Sequence, residues 1–560
     1  MPPSRGADAS PAFSTPDQVP KMTAKTPPES TESLWLRRCV IMSFWAVAIC
    51  LGLPMWWKTT AIYRAELPLQ AMTDWADGKM CKPVFPLRIA IEAPTLPEQD
   101  AQHLLQTTQH ALDDLNEFSA HHLRLMLTES PLTPNISQQV VTHHGLGTRS
   151  NDEDIALSIR LIPVETGATP RSQLQPYAPT LDVYYTHNQL PPPSSTSSPL
   201  ATSIAHELDK IFAEEQALLA YLLSTTSGAH AAKMKSLSPG TFTELERQST
   251  RALKYAPTYH LTFSLFTPTS VPSAWEIESA LQRYLSPLLE SFSAISNFTV
   301  DSQVQLYAGF SPSIRAPEYD EAMQAWTLRK EDLSGFINAA EWPLSPSIGH
   351  GPTVNFVLYV PDQSQSPLLV KENGGNSWLV PQWGGVLILN PASSQTPTTL
   401  TKDALAPAMH SFADQLLSLL GLPQSPASFP LRLSTLKRVR AASLIFSASS
   451  TMGALARLTR QLESIPVPDT VARSVDSTMA HLQQSCDLLR DGRFQGALEH
   501  ARNAESEAEK AFFERSMVGQ VYFPDEHKVA VYLPLLGPVA VPLIMAALKE
   551  LKSVLPGRRR

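Results

Sequence analysis

Histidine clusters are the clearest candidates for metal or acid–base chemistry in this sequence. His206 and Glu207 begin like a zinc-protease motif, in which a second histidine four positions after the first supplies another ligand. Lys210 occupies that position, so the motif is incomplete. The adjacent pairs His121–His122 and His143–His144 are also poor ligand sets, because successive strand residues point to opposite faces. We therefore expect no metal site from these residues.

The sequence also lacks a recognisable nucleophile. It contains no phosphate-binding P-loop, no dinucleotide-binding loop and no Gly-x-Ser-x-Gly elbow. Gly349-His350-Gly351 could present an imidazole on a loop, but a general base needs a nucleophile and an orienting partner, and neither is indicated. We predict no catalytic residue, no metal and no cofactor, which favours a scaffold or binding subunit over an enzyme.

The four cysteines divide into two pairs. Cys39 and Cys50 lie in an apolar segment near the N-terminus, whereas Cys81 and Cys486 lie in the large central part of the chain. Cys486 belongs to an apolar stripe at helical spacing, formed with Val471, Val475, Met479, Leu482 and Leu489. This stripe favours a buried thiol that packs as a small hydrophobe. A Cys81–Cys486 disulfide in an oxidising compartment is the alternative, and a catalytic thiol is the least favoured reading.

Composition excludes several classes of protein. The chain has 560 residues and a formal net charge of -8, which argues against a nucleic-acid binder that neutralises phosphates. Hydrophobic residues make up 43% and charged residues 17%, which excludes a long disordered chain and a coiled coil. A membrane protein with one or two spans remains compatible, because a large polar domain dilutes the average.

The first candidate span runs uncharged from Cys39 to Trp57. Helical rise makes this segment long enough to cross most of the ~30 Å hydrocarbon core. Lysine and arginine are more frequent in the twenty residues before it than in the twenty after it, which predicts a cytoplasmic N-terminus. A cleaved signal peptide is the alternative, although the apolar run is longer than the usual signal core.

The second candidate span runs uncharged from Val529 to Leu548 and is followed by a basic tail. The same rule puts that tail in the cytoplasm. Pro534, Pro538 and Pro542 recur every four residues, with Gly537 between them, and they share one helix face. Each proline removes a backbone hydrogen bond, so we expect this face to contact a transmembrane helix of another subunit. The alternative is a kinked anchor that contacts only the chain's own first span.

The region between the spans alternates strand and helix patterns and then becomes helical. Alternating or β-branched runs such as Leu87–Ala93 and Tyr259–Phe266 predict strands, and we expect them in one mixed sheet with flanking helices. From Asp403 onward, helical periodicity predicts a layer of antiparallel helices. The predicted regions are a disordered cytoplasmic tail (1–34), a transmembrane helix (35–58), an α/β region (59–402), a helical region (403–528), a second transmembrane helix (529–548) and a basic cytoplasmic tail (549–560).

Two Asn-x-Ser/Thr triplets begin at Asn135 and Asn297. Both fall in the region predicted to lie outside the cytoplasm, where such triplets accept glycans. They agree with the predicted topology, although triplets of this kind also arise by chance in a chain of this length.

Five blocks of the sequence resemble the PIG-S family of glycosylphosphatidylinositol (GPI) transamidase subunits. They are Val40–Pro68, Tyr259–Leu265, the run within Glu341–Tyr359, Pro381–Asn390 and Ala508–Leu543. The blocks are spread over nearly the whole chain, and their order and both spans agree with the family together.

The resemblance implies a non-catalytic subunit in a complex of the endoplasmic reticulum membrane, with both termini cytoplasmic and the large domain luminal. That complex attaches GPI anchors to the C-termini of precursor proteins. The implied partners are a caspase-fold subunit like PIG-K, which carries the nucleophilic cysteine, together with PIG-T-like, PIG-U-like and GAA-type subunits and membrane lipid. A membrane-anchored luminal enzyme and a ligand-binding receptor, each acting alone, remain the alternatives.

Overall fold

The computed structural model describes residues 30–60, 63–116, 118–128, 155–165, 169–192, 195, 197–226, 239–310, 315–335, 351–391, 396–462, 465–517 and 526–554. The chain divides into two compact units. The terminal unit contains the apolar helices near both ends, and the central unit spans Arg64–Glu463 and Val467–Val518.

The N-terminal helix of the terminal unit is continuous but changes its hydrogen-bond spacing once. Helix α1 (Thr31–Val47) begins after Ser30, whose side chain accepts a hydrogen bond from the Ser33 amide. A π-helical turn (Ala48–Gly52) then leads into α2 (Leu53–Thr60). Pro54 explains the interruption, because it has no amide proton and its ring collides with the carbonyl of the preceding turn.

The first half of the central unit is built around a five-stranded sheet. Its elements are α3 (Leu69–Ala76), β1 (Phe85–Glu92), α4 (Glu98–Leu115), β2 (His121–Leu127), β3 (Ile155–Pro163), β4 (Arg171–Leu174), β5 (Thr180–Tyr185), α5 (Pro199–Thr226) and α6 (Pro239–Arg251). The strand order is β2-β1-β3-β5-β4, and only β4 runs antiparallel to its neighbour. Leu87, Ile89 and Ile159 are fully buried, as expected for a sheet covered on both faces.

A second five-stranded sheet follows. Its elements are β6 (Thr258–Phe266), β7 (Ala274–Trp275), α7 (Ile277–Ala280), α8 (Ser286–Ser291), β8 (Asn297–Gln305), β9 (Glu318–Asp320), β10 (Ala325–Leu328), β11 (Thr353–Tyr359), β12 (Leu368–Val370), β13 (Ser377–Val380), β14 (Gly384–Ile388), β15 (Thr399–Leu400) and α9 (Lys402–Leu419). The order is β13-β14-β11-β6-β8, with only β13 antiparallel, while β12-β10-β9 and β15-β7 form small additional sheets. Phe412 of α9 covers this sheet by packing on Phe263 and Phe356.

The prediction of one mixed sheet is wrong, because the strands form two separate main sheets. Both sheets have the same topology. The first strand lies between the second and the third, and an antiparallel strand forms the edge beside the last parallel strand. Apolar alternation identifies each strand, but it carries no information about which strand lies beside it.

Three long helices complete the central unit, as the helical periodicity predicts. They are α10 (Phe429–Gln461), α11 (Asp469–Arg490) and α12 (Phe494–Phe512). Ala497, Ala501 and Ala504 of α12 are fully buried, and α12 contacts both α10 and α11. Gly492 has a φ of 78° in the turn between α11 and α12, a conformation that glycine adopts without strain at a helix end.

The last described helix, α13 (Glu526–Val554), belongs to the terminal unit. The segments Thr31–Gly52 and Ala530–Lys552 are long and apolar enough to cross a membrane. Large apolar side chains are exposed along both helices, for example Met42, Phe44, Leu533 and Leu535. Water is a poor solvent for such a surface, and a bilayer is a good one.

Candidate functional site

The histidines singled out in the sequence do not form a metal centre in the described part of the chain. His206 is exposed on α5. His121 is buried at the start of β2, whereas its neighbour His122 is half-buried. No group of three or more histidine, cysteine, aspartate or glutamate ligands occurs among the described residues. His143, His144 and His350 lie outside the described residues.

His121 instead belongs to a buried charge cluster that joins three distant elements. Glu215 of α5 accepts hydrogen bonds from Arg438 of α10, whose Nε lies 2.5 Å from Oε1 and whose Nη2 lies 2.6 Å from Oε2. The Thr435 hydroxyl donates to Oε2 at 2.6 Å, and His121 Nε2 lies 3.6 Å from Oε1. The guanidinium carbon of Arg438 lies 5.3 Å from the centre of the Phe494 ring.

The surroundings of Glu215 stabilise its charged form. Burial alone would raise the pKa of Glu215, but the charge of Arg438, its hydrogen bonds and the nearby imidazole of His121 lower it below its ordinary value. The glutamate and arginine side chains are only 2% and 3% exposed. The adjoining cavity beside His121 has a volume of about 10 Å³, which is room for about one water molecule. The cluster therefore connects α5 to α10 and has no room for a substrate.

Sequence analysis missed this cluster. Glu215 and Arg438 are 223 positions apart, and each lies in an ordinary amphipathic helix. A charged residue in a helix is most often solvated, so neither residue carries a local signal. Only the packing of α5 against α10 brings them together.

The two cysteines of the central unit are joined. Cys81 follows α3 and Cys486 lies in α11, and the two form a disulfide with a Cα–Cα distance of 6.1 Å. Cys486 is buried, as its apolar stripe indicates, but it is not a free thiol. Cys39 and Cys50 are unbonded and lie in the N-terminal apolar helix.

One of the two glycosylation triplets can be located. Asn297 is the exposed first residue of β8, an edge strand of the second sheet. Its backbone amide donates to the Pro257 carbonyl at 2.8 Å, and the Thr299 hydroxyl contacts Nδ1 of His260. The Asn297 side chain therefore lies on an accessible edge. Asn135 lies outside the described residues.

The terminal unit pairs the two candidate spans in antiparallel fashion. Arg37 Nη2 of α1 lies 2.6 Å from Glu550 Oε1 of α13, and Arg38 Nε lies 3.1 Å from Oε2 of the same carboxylate. The start of the first span is thus next to the end of the last one. Two cations neutralise Glu550, the acidic side chain that follows the C-terminal apolar segment, which lowers the cost of placing that carboxylate near a bilayer.

The proline face of α13 is not covered by any part of the chain that the structure describes. Pro534, Pro538 and Pro542 are exposed, whereas Gly537 is half-buried. A methyl group added at Gly537 would meet no atom within 4 Å among the described residues. α1 and α13 contact each other, but the contact leaves the three prolines free to pack against something else.

Comparison with known proteins identifies relatives along almost the whole chain. The family model described as "PIG-S: Phosphatidylinositol-glycan biosynthesis class S protein" matches residues 43–556. The GPI-anchor transamidase component PIGS of Rattus norvegicus is 29% identical over 541 residues, covering 90% of this chain and 93% of that protein. The Homo sapiens protein of the same name is 29% identical over 540 residues with the same coverage.

A more distant relative shows the same pattern. The GPI transamidase component GPI17 of Saccharomyces cerevisiae is 26% identical over 544 residues, covering 92% of each chain. The matched region includes the C-terminal apolar helix, the N-terminal apolar helix from residue 43 onward and every strand of the two main sheets. The five blocks that resemble the family in the sequence fall almost wholly within it. This chain therefore belongs to the PIG-S family.

Proposed function

We propose that this chain is a non-catalytic structural subunit of the GPI transamidase complex, which attaches GPI anchors to the C-termini of precursor proteins. The family match over residues 43–556 carries this proposal. The relatives from rat, human and yeast are each named as components of that transamidase. Alignment over about nine-tenths of both partners argues for a shared role of the whole chain and not of a single domain.

The chemistry of the chain supports a non-catalytic role. Acyl transfer by a cysteine enzyme needs a free thiolate. Of the four cysteines, Cys81 and Cys486 are consumed in a disulfide, and Cys39 and Cys50 lie in the N-terminal apolar helix. The cavity beside His121 in the buried Glu215–Arg438 cluster is too small to admit a substrate. We infer that the nucleophile belongs to another subunit, a caspase-fold protein like PIG-K.

The same proposal includes a membrane topology. Two spans with both ends in the cytoplasm would place the central unit in the lumen of the endoplasmic reticulum. The antiparallel pairing of α1 and α13 through Arg37 and Glu550 supports termini on the same side. The Cys81–Cys486 disulfide supports an oxidising compartment for the central unit.

We further propose that the proline face of α13 contacts a membrane helix of a partner subunit. PIG-T-like, PIG-U-like and GAA-type proteins are the expected partners besides the caspase-fold subunit. Backbone carbonyls freed by proline need partners in lipid, and the exposed Pro534, Pro538 and Pro542 offer close approach to another backbone. The structural role would then be to hold the luminal assembly together and to keep it at the membrane.

Depletion of the chain from its own cells tests the proposed function. We expect precursors of GPI-anchored proteins to accumulate with their C-terminal signals uncleaved, and anchored proteins at the surface to fall. Re-expression of the wild-type chain is the control and should restore both. Normal anchor attachment in fully depleted cells would contradict the proposal.

A further inference from the structure

A cavity of about 750 Å³ opens within the central unit between α5, α6, α10 and α12. This volume is within the usual range for small-molecule sites. One wall is apolar and consists of Leu218, Leu222, Leu245, Leu253 and Leu444. The cavity is separate from the Glu215–Arg438 cluster, whose side chains do not line it.

The lining also carries two guanidinium groups without carboxylate partners among the described residues. Arg440 of α10 donates from Nη2 to the Leu420 carbonyl at 2.8 Å. Arg502 of α12 donates from Nη2 to the carbonyls of Ala294 and Ile295. Neither arginine lies within ion-pair distance of a described acidic side chain, and the buried Nε of Arg502 has no acceptor in the described chain.

Both arginines line this cavity together with Tyr255. The guanidinium carbon of Arg502 lies 5.8 Å from the centre of the Tyr255 ring. Burial raises the pKa of Tyr255, and the charges of Arg502 and Arg440 oppose that rise. Burial removes water from the Arg440 guanidinium and lowers its pKa, so a bound anion would stabilise its charge.

The two acidic residues of the lining do not cancel these charges. Glu509 is already paired with Lys254 at 3.2 Å. Glu505 is 9% exposed, and its Oε1 accepts from the Ser447 hydroxyl at 2.7 Å, while its buried Oε2 has no partner among the described residues. Burial raises the pKa of Glu505. Burial therefore disfavours a charge on Glu505, and neither carboxylate pairs with Arg440 or Arg502 among the described residues.

We propose that this cavity binds a phosphate-bearing amphiphile, with its phosphate between Arg440 and Arg502 and its apolar portion along the leucine wall. Guanidinium groups match the arrangement of the oxygens of phosphate. Two guanidinium groups complement a doubly charged phosphate headgroup better than they complement a singly charged carboxylate. The buried Nε of Arg502 is a donor that such a group would satisfy. The leucines would cover a short acyl or alkyl portion.

Direct binding to the full chain tests this proposal. The chain is reconstituted in phosphatidylcholine nanodiscs, with empty nanodiscs as the blank, and titrated with dihexanoyl phosphatidic acid. We expect saturable one-site binding that is at least about tenfold tighter than binding of inorganic phosphate or of neutral dihexanoylglycerol. Equal affinity for inorganic phosphate would overturn the apolar contact, and equal affinity for the neutral lipid would overturn the role of the arginines. Octanoate binding as tightly as the phosphatidic acid would overturn the preference for phosphate.

Variants locate the site. Arg440→Gln and Arg502→Gln should each weaken binding by about tenfold or more. Arg460→Gln changes an exposed position on α10, the helix that also carries Arg440, and should leave binding unchanged. If either glutamine variant misfolds, Arg440→Lys and Arg502→Lys retain the charge and should bind the phosphatidic acid within a fewfold of the wild-type affinity. Leu245→Gln should weaken binding of the phosphatidic acid but not binding of inorganic phosphate. Unchanged affinity in folded Arg440→Gln and Arg502→Gln proteins would overturn the proposal. A negative binding result would leave the proposed role in the transamidase complex unaffected, because that role does not depend on this cavity.

Discussion

Glu215 and Arg438 form a buried ion pair with two charge-assisted hydrogen bonds, and Thr435 supplies a third. Such a pair contributes little net free energy relative to an apolar pair of the same volume, because removing both charges from water is costly. Its partners are nevertheless strongly interdependent. A single substitution leaves the other charge buried without compensation, so the arrangement of α5 on α10 depends on both residues.

We predict that Glu215→Gln destabilises the central unit by about 3–5 kcal/mol, because Arg438 then remains charged and unpaired. Chemical unfolding of the purified chain, followed by tryptophan fluorescence, measures the change. Asp487→Asn, which removes a surface ion pair to Arg490 on α11, is the matched control and should have little effect. Equal stability of the Glu215→Gln and wild-type proteins would contradict this role of the pair.

Acid should also weaken the wild-type fold through this residue. The pKa of Glu215 is lower in the folded state than its ordinary value of 4.5, so the unfolded chain binds the proton more readily. The contribution of Glu215 to stability is therefore complete above about pH 4.5 and is lost as the pH falls further. The Glu215→Gln protein lacks this pH-dependent contribution to stability and should therefore show a shallower loss of stability in the same pH range.

Asn297 is predicted to carry a glycan, because its triplet lies on an exposed edge strand of a unit that we propose to be luminal. In an Asn135→Gln background, Asn297→Gln should abolish the glycosidase-sensitive shift in gel mobility. Thr299→Ser preserves the triplet and should retain that shift. A mobility that glycosidase does not change in the Asn135→Gln protein would argue against occupancy at Asn297.

At the scale of single elements, α13 combines exposed leucines with a proline face that no described residue covers. Leu533 and Leu535 are 70% and 72% exposed. Three prolines within one helix would normally be costly, and neighbouring helices in a membrane can satisfy the freed carbonyls. The element therefore has the properties of an anchor that also contacts a partner.

Changing Pro534, Pro538 and Pro542 together to leucine should lower the recovery of partner subunits severalfold when the complex is purified. Leucine keeps the segment apolar, so the chain should remain in the membrane fraction. Leu533→Ala and Leu536→Ala alter exposed positions elsewhere on the helix and serve as the control. Unchanged recovery in the triple variant would indicate a helix that contacts only its own first span.

Sequence patterns predict individual helices and strands much better than they predict which of these elements lie beside each other. The prediction of a strand at Tyr259–Phe266 is confirmed by β6 (Thr258–Phe266), because this run is rich in aromatic residues that favour strands. Short strands such as Glu318–Asp320 have no such pattern and were not predicted. The separation into two sheets and the Glu215–Arg438 pair depend on contacts between residues far apart in sequence, which no local periodicity records.

At the scale of the whole molecule, an average composition conceals two kinds of surface. The 17% of charged residues belongs mainly to the central unit and the ends, while the candidate spans are almost uncharged. Within the central unit, two sheets of the same topology are joined to one helical layer, and a disulfide links α11 to the segment after α3. The earliest and latest parts of the central unit are thus held together covalently.

Cys81→Ser and Cys486→Ser should each destabilise the central unit by about 2–5 kcal/mol, because the bond closes a loop of 405 positions and restricts the unfolded chain. Unfolding measured under non-reducing conditions tests this prediction. Cys39→Ser and Cys50→Ser change unbonded cysteines of the apolar helix and should leave the stability of the central unit unaltered. Identical unfolding of all four variants would contradict a structural role for the bond.

Purification of the tagged chain from its own membranes in a mild detergent, followed by mass spectrometry of everything that remains bound, tests the central claim most directly. We predict a stoichiometric assembly that contains a caspase-fold subunit with a reactive cysteine, together with PIG-T-like, PIG-U-like and GAA-type subunits. Recovery of the chain as a lone monomer, from membranes in which the caspase-fold subunit is present and intact, would contradict the claim.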